Sequence, residues 1–179
     1  LRLGRNIPEA PLPQHVRNVE AELRETTTPV AVRHLIPEFV MGRVLTEVTI
    51  ENVRDLYAVE ENRLADSEVR RIVVDDALVD TGATTLALPF KLIEELGLKK
   101  VAEKRATSSQ GVGPVSIYEA VRLSIQDRFC TVDVIGIPNE VPVLVGQIPL
   151  EMMDLVVDQQ GRRLIGNPAH GGEQVLELY

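Results

Sequence analysis

Residues Ala77 to Pro89 read Ala-Leu-Val-Asp-Thr-Gly-Ala-Thr-Thr-Leu-Ala-Leu-Pro: an apolar run enters Asp80-Thr81-Gly82 and leaves into a second apolar run. Val73, Val74, Ala77, Leu78 and Val79 precede the tripeptide and Leu86, Ala87 and Leu88 follow it, so both flanks have the composition of core strands. A carboxylate carried between two such strands costs free energy unless it is paired, so Asp80 is either satisfied locally or used for chemistry. The plain reading is a β-turn in which Asp80 accepts a backbone hydrogen bond and Gly82 supplies a positive φ. The core-forming flanks on both sides favour chemistry, and nothing else in the chain looks catalytic.

About sixty residues on stands a second pattern, Val143-Leu144-Val145-Gly146-Gln147-Ile148-Pro149-Leu150-Glu151-Met152-Met153-Asp154-Leu155. It reads as a strand, a glycine and a short helix, with Leu150, Met153 and Leu155 on a buried face and Glu151 and Asp154 left to solvent. Taken alone it is an ordinary strand–turn–helix connection. Its order and distance after Asp80-Thr81-Gly82-Ala83-Thr84 make the pair resemble the retropepsin-like aspartic proteases, the single-domain relatives of the pepsins. In that family the second half of the domain repeats the first without the aspartate. The resemblance covers about Gly42 to Tyr179 and implies a mainly β fold. The expected architecture is an acid-protease barrel with one or two short helices, a single lobe completed by homodimerisation.

The chain divides near Met41. Residues 1–41 hold Pro8, Pro11, Pro13, Pro29 and Pro37, five of the eleven prolines, with mixed charge, as in a linker or peripheral arm. Val16 to Leu23 is the one stretch of this arm that reads as a short amphipathic helix. Residues 42–179 form the expected folded domain. Val44, Thr46, Val48 and Ile50 alternate as in a half-buried strand, with Leu56 to Val59 as its expected hairpin partner. Ala65 to Arg71 reads as a capped turn into the strand ending at Asp80. Pro89 then opens a helix over Phe90 to Leu96 that Gly97 stops. Lys100 to Ala102 and Val115 to Ile125 read as strands around the small, polar stretch Ala106 to Pro114, a hairpin tip.

The formal net charge of −8 argues against a nucleic-acid surface. No run of eighteen apolar residues suggests a membrane span. Cys130 is the single cysteine, which excludes a disulfide within the chain and suits a reducing, cytoplasmic setting. Between Phe129 and Thr131 it reads as a buried strand residue rather than a nucleophile. His15, His34 and His170 lack metal-ligand spacing, and Asp75-Asp76 point to opposite faces of a strand, so the sequence calls for no metal and no cofactor.

What remains is what the resemblance implies. Asp80, Thr81 and Gly82 are the catalytic tripeptide, Asp80 meeting Asp80 of a second copy at a two-fold axis because the second-half motif has Val145-Gly146 where a two-lobed pepsin has another aspartate. Thr81 locks the two turns together and Gly82 lets the backbones approach. The hairpin over Ala106 to Pro114 is the flap, with Tyr118 beneath it. Ala83, Gln110, Gly111, Val112 and Gly113 contact an extended peptide or protein substrate, with apolar side chains favoured near the cut. Thr84 stands where many retroviral members carry an acid, and the tail from Arg162 to Leu178 resembles bacterial single-domain members. Two alternatives stay open: a non-proteolytic dimerising module of the same fold, and a latent protease held by the proline-rich arm.

Overall fold

The computed structural model describes residues 43–108 and 111–175. The expected arm over 1–41 and its helix over Val16–Leu23 lie outside them, as does Gln110. Among the described residues the chain is mainly β, with nine strands and three short α-helices. The strands are β1 (Val44–Asn52), β2 (Arg71–Val79), β3 (Leu86–Pro89), β4 (Lys100–Ser108), β5 (Gly111–Ile125), β6 (Arg128–Ile137), β7 (Leu144–Val145), β8 (Leu155–Asp158) and β9 (Arg163–Gly166). The helices are α1 (Val53–Glu60), α2 (Phe90–Glu95) and α3 (Gln147–Met152).

The first seven strands make one sheet in the order β1-β2-β7-β3-β6-β5-β4, and β1 also pairs with β5, so six of them close into a ring from which β4 extends. Glu51 marks the closure. It is 5 % exposed, on the strand shared by both neighbours, and its carboxylate is held by Arg122 of β5 at 2.7 Å and Arg71 of β2 at 3.3 Å. Buried charge is tolerated there because both partners are present. Inside the ring, Val44, Val48 and Ile50 of β1 alternate inward as expected, meeting Ala77, Val121, Leu123, Val132, Val134 and Val145. β3 lies between β6 and β7 and is buried along its whole length, which its unbroken Leu-Ala-Leu-Pro run requires.

One strand expectation fails. Leu56 to Val59 is not the hairpin partner of β1 but part of helix α1, and β1 pairs instead with β2 across the connection. The cause is Asn52, whose side-chain oxygen accepts from the amides of Arg54 (2.8 Å) and Asp55 (3.3 Å) while its amide donates to the Leu96 carbonyl (2.8 Å). That N-cap starts a helix directly at the strand end and outweighs the β preference of Leu56, Tyr57 and Val59. Asp55 in the first turn binds Arg70 through both oxygens, which holds its carboxyl below the usual range. The helix after Pro89 forms as read, stopped by Gly97 at φ 63°. Asp75 and Asp76 are both exposed because together they face Glu47, a bulge in β2 between the pairs Thr46–Ala77 and Val48–Val74.

A second correction concerns Asp154. It was expected in solvent on the α3 face, yet it is 8 % exposed, because the chain leaves the helix there at φ 50° and Leu155 already belongs to β8. Its carboxylate binds His170 Nδ1 (2.6 Å), Asn167 Nδ2 (2.9 Å) and the Val175 amide (3.1 Å). Arg128, also buried, donates to the carbonyls of Met153, Asp154 and Gly172. Together they fasten residues 167–175 to the barrel. The His170 contact, then those from Asn167 and Val175, draws the Asp154 carboxyl down to about 2. Its folded value lies below its unfolded one, so the stabilisation is complete above about pH 4 and disappears as pH falls toward 2. Asp154→Ala is therefore expected to lower Tm by several degrees at pH 6, and the gap from the wild type to narrow toward pH 2. Thermal unfolding followed by circular dichroism across that range checks this; a gap that stays constant down to pH 2 would contradict it.

Candidate active site

β2 runs out of the core at Val79, and the next four residues form a tight turn in which the Ala83 amide donates to the Asp80 carbonyl at 3.0 Å. Asp80 is half-buried, Thr81 and Gly82 are exposed, and Ala83 is half-buried again. Asp80 Oδ1 accepts the Gly82 amide at 3.0 Å. The local satisfaction expected of a plain β-turn is thus present on one oxygen. Among the described residues Oδ2 makes no hydrogen bond or ion pair, so one lone-pair face of the carboxylate is open to a ligand.

The turn is held in place by the second motif. β7 lies parallel to the end of β2, where the Leu78 amide donates to Val143 at 2.8 Å and the Asp80 amide to Val145 at 2.9 Å. On the exit side the amides of Gln147 and Ile148, the first of α3, donate to the carbonyls of Ala83 and Thr84, both at 2.9 Å. These are helix-start donors that lack partners within the helix, so the outgoing loop satisfies them. Gly146 joins the two contacts. A Cβ there would lie 2.5 Å from the Thr85 carbonyl oxygen and 2.6 Å from that of Ala83, both rigid backbone atoms. The glycine is required by close approach, and this explains why the apolar-apolar-glycine pattern follows the aspartate at a distance.

Beside the turn opens a cleft of about 770 Å³. Thr84 and Thr85 of the outgoing loop form one wall, Ile148 and Met152 of α3 a second, and the β4–β5 stem with Lys104, Ala106, Val115 and Ile117 a third. Its floor continues onto Thr131, Asp133 and Ile135 of β6, and Thr85 Oγ1 donates to the Asp133 carbonyl at 3.2 Å. A bulge in β5 builds this floor. Ile117 pairs with Ile135 but Val121 with Val132, so β5 spends one residue more than β6 between them. Ile117 then faces the cleft with Ile135, whereas Val121, Leu123 and Ile125 face the core.

The hairpin itself is longer than the sequence suggested. Outside residues 109–110 the stretch expected as a tip is ladder: Arg105–Pro114, Ala106–Gly113, Thr107–Val112 and Ser108–Gly111 are paired positions. Gly111 (φ 111°) and Val112 are exposed, and a Cβ at Gly111 or Gly113 would meet no described atom within 4 Å. The structure therefore brings Asp80, Thr81, Gly82 and Ala83 together in one turn. It leaves Gly111, Val112 and Gly113 standing clear of that turn, and the cleft is lined by the hairpin's stem instead. Tyr118, expected beneath the tip, lies opposite Lys100 near the base and packs edge-on against Phe90, ring centroids 6.5 Å apart, over Gly136. Sequence reasoning missed Lys104, Ile148 and Met152 as cleft residues; the strand alternation of β4 held the signal for Lys104, once its partner strand was known. Cys130 is buried in β6 and burial pushes its thiol up to about 11, as suits a core residue. Among the described residues no cluster of side chains is arranged to hold a metal.

Gly146→Ala is expected to destabilise the protein by roughly 1–3 kcal/mol, because neither carbonyl can retreat without breaking the contacts that hold the turn. Urea unfolding measures this, and a variant with the wild-type midpoint and slope would show that the close approach is not required.

An aspartyl protease family model matches residues 68–161, just over half of the chain, from the segment entering β2 to the turn between β8 and β9. No curated protein matches. The matched span contains the Asp80 turn, the hairpin stem and the Val145-Gly146 clamp that holds the turn. By its sequence match, and with a mainly β barrel around a clamped Asp-Thr-Gly turn, the chain belongs to the aspartyl protease family.

Proposed function

We propose that this protein is an aspartic endopeptidase whose active site is assembled from the Asp80 turns of two copies. The observation that carries the reading is the Asp80 carboxylate, fixed through Oδ1 to the Gly82 amide with Oδ2 open, on a turn whose Thr81 and Gly82 are exposed. Hydrolysis of an amide by water needs a base for the water's proton and an acid for the carbonyl oxygen. One carboxylate does not do both at once, and the position related to Asp80 by the second motif is Val145-Gly146. A second copy across a two-fold axis supplies the partner at no cost in new sequence.

Two carboxylates a few ångströms apart do not both ionise, so the pair holds one shared proton at mildly acidic pH. The ionised Asp80 takes a proton from water as the oxygen attacks the scissile carbonyl carbon. The protonated Asp80 gives its proton to the carbonyl oxygen, and a tetrahedral diol forms. One Asp80 then gives its proton to the nitrogen while the other takes a proton from a diol hydroxyl, the C–N bond breaks, and a carboxylic acid and an amine leave with the pair again holding one proton. Thr81 braces the two turns against each other and Gly82 admits the substrate backbone. The β4–β5 hairpin serves as the flap, closing Gln110, Gly111, Val112 and Gly113 over an extended peptide whose main chain hydrogen-bonds between flap and floor, with Ala83 at its side.

Cleavage of a mixed peptide library between about pH 4 and pH 7 is expected for the wild type and lost in Asp80→Asn. At low concentration the rate is expected to rise with the square of protein concentration, with sedimentation recording the monomer–dimer balance. Activity that survives Asp80→Asn, or a specific rate independent of concentration in a monomeric protein, would overturn the assembly. A stable dimer that cuts nothing across the range would replace catalysis by peptide binding.

A further inference from the structure

The cleft beside the active turn carries a charge that the rest of its lining does not neutralise. β4 alternates, and Lys104 pairs with Val115 and Ala106 with Gly113, so Lys104, Ala106, Val115 and, through its pairing with Ala102, Ile117 share the face that lines the cleft. Arg105, opposite Pro114, starts from the other face of β4 yet also belongs to the lining, so the cleft holds two cations, Lys104 and Arg105, to one carboxylate, Asp133. On the same strand Lys100 is paired with Glu103 at 2.7 Å, whereas among the described residues no carboxylate pairs with Lys104. Asp133 is the carboxylate of the cleft lining, but it stands on β6 opposite residues 119–120 of β5, four to five positions along from Val115. The two stand on strands separated by β5, and among the described residues no ion pair joins them. In a chain of net charge −8 this excess of positive charge, beside the apolar side chains of Val115, Ile117 and Ile135, is a local exception.

We infer that Lys104 is a specificity-determining residue that selects peptides carrying an acidic side chain, seated in this cleft next to the scissile bond's flank. The inference rests on the endopeptidase reading and narrows its substrate class. An extended peptide lying along the hairpin sends every second side chain toward one face, so one position of the substrate enters the cleft. A Glu or Asp there lays its methylenes along Val115 and Ile117 and its carboxylate at the Lys104 ammonium group. Thr84 and Thr85 supply hydroxyls on the opposite wall. A lysine or arginine at the same position meets like charge from Lys104 and Arg105, which Asp133 alone only partly offsets, so selection works by exclusion as well as attraction.

The test uses one cleaved peptide with a single position walked through Glu, Gln and Lys on both sides of the cut. At one position the wild type is expected to prefer Glu over Gln by roughly tenfold in kcat/KM, with Lys worst and the preference shrinking as salt is raised. Lys104→Gln is expected to bring the Glu and Gln peptides to equal values, and Lys104→Glu to place the Lys peptide first. The same peptides, fluorescently labelled, are titrated against full-length Asp80→Asn by anisotropy. Cleavage of all peptides without a Glu preference, or a preference unchanged in Lys104→Gln, overturns the inference and leaves the endopeptidase standing. Glu-selective binding without any cleavage by the wild type supports the role of Lys104 and overturns the catalytic reading instead.

Discussion

Four backbone hydrogen bonds fix the Asp80 turn from outside: Leu78 and Asp80 to the carbonyls of Val143 and Val145, then Gln147 and Ile148 to those of Ala83 and Thr84. They come from a segment more than sixty positions later in the chain, so the turn takes its shape only when β7 and α3 have docked on it. Most else follows from this arrangement. β7 has room for only two residues because it must end at Gly146, β3 is buried because it passes between β7 and β6, and α3 begins where the turn's carbonyls accept its first amides. A local turn has thereby become a tertiary structure, with the long-range contact entropy such a structure implies.

The closure of the ring is the second constraint. β1 must pair on both edges, with β2 through Val44–Glu51 and with β5 through Thr49–Asn52. Only the last residues of β1 are shared, and there the side chains change from aliphatic to Glu51 and Asn52. Glu51 is matched by an arginine from each neighbour, and Asn52 ends the strand by starting α1 and binding the end of α2. Polar residues at a buried corner thus do what apolar ones do not: they specify which three elements meet.

The legible parts of the sequence were those governed by short-range rules. The apolar flanks of Asp80, the alternation from Val44 to Ile50, the Pro89 start and Gly97 stop of α2, and Gly146 after an apolar pair each state a local requirement that the tertiary structure keeps. What escaped was decided at a distance. Leu56 to Val59 has strand-like composition, and only the bonds of Asn52 to α1 and Leu96 settle it as helix. Asp154 reads as a helix-surface residue until Asn167, His170 and Val175 return from further along the chain to surround it. The hairpin's length escaped because small residues from Ala106 to Pro114 suit a loop by composition, yet Ala106 to Ser108 pair with Gly111 to Gly113 as a two-stranded ladder. Of the candidate site, the Asp80-Thr81-Gly82 turn was readable and the cleft beside it was not, since its walls come from five separate elements.

The extra residue in β5 between Tyr118 and Val121 gives the hairpin and the barrel different inside–outside phases. The cleft and the core are lined by the same strand, and a count of one separates them. Deleting a single residue there would rotate everything from Gly111 to Tyr118 by half a turn relative to the barrel, presenting Pro114 and Tyr118 to the cleft and turning Val115 and Ile117 away. A barrel of this kind can therefore exchange the hairpin's whole share of the cleft lining in one step, by moving or removing the bulge, while the Asp80 turn keeps every residue it has.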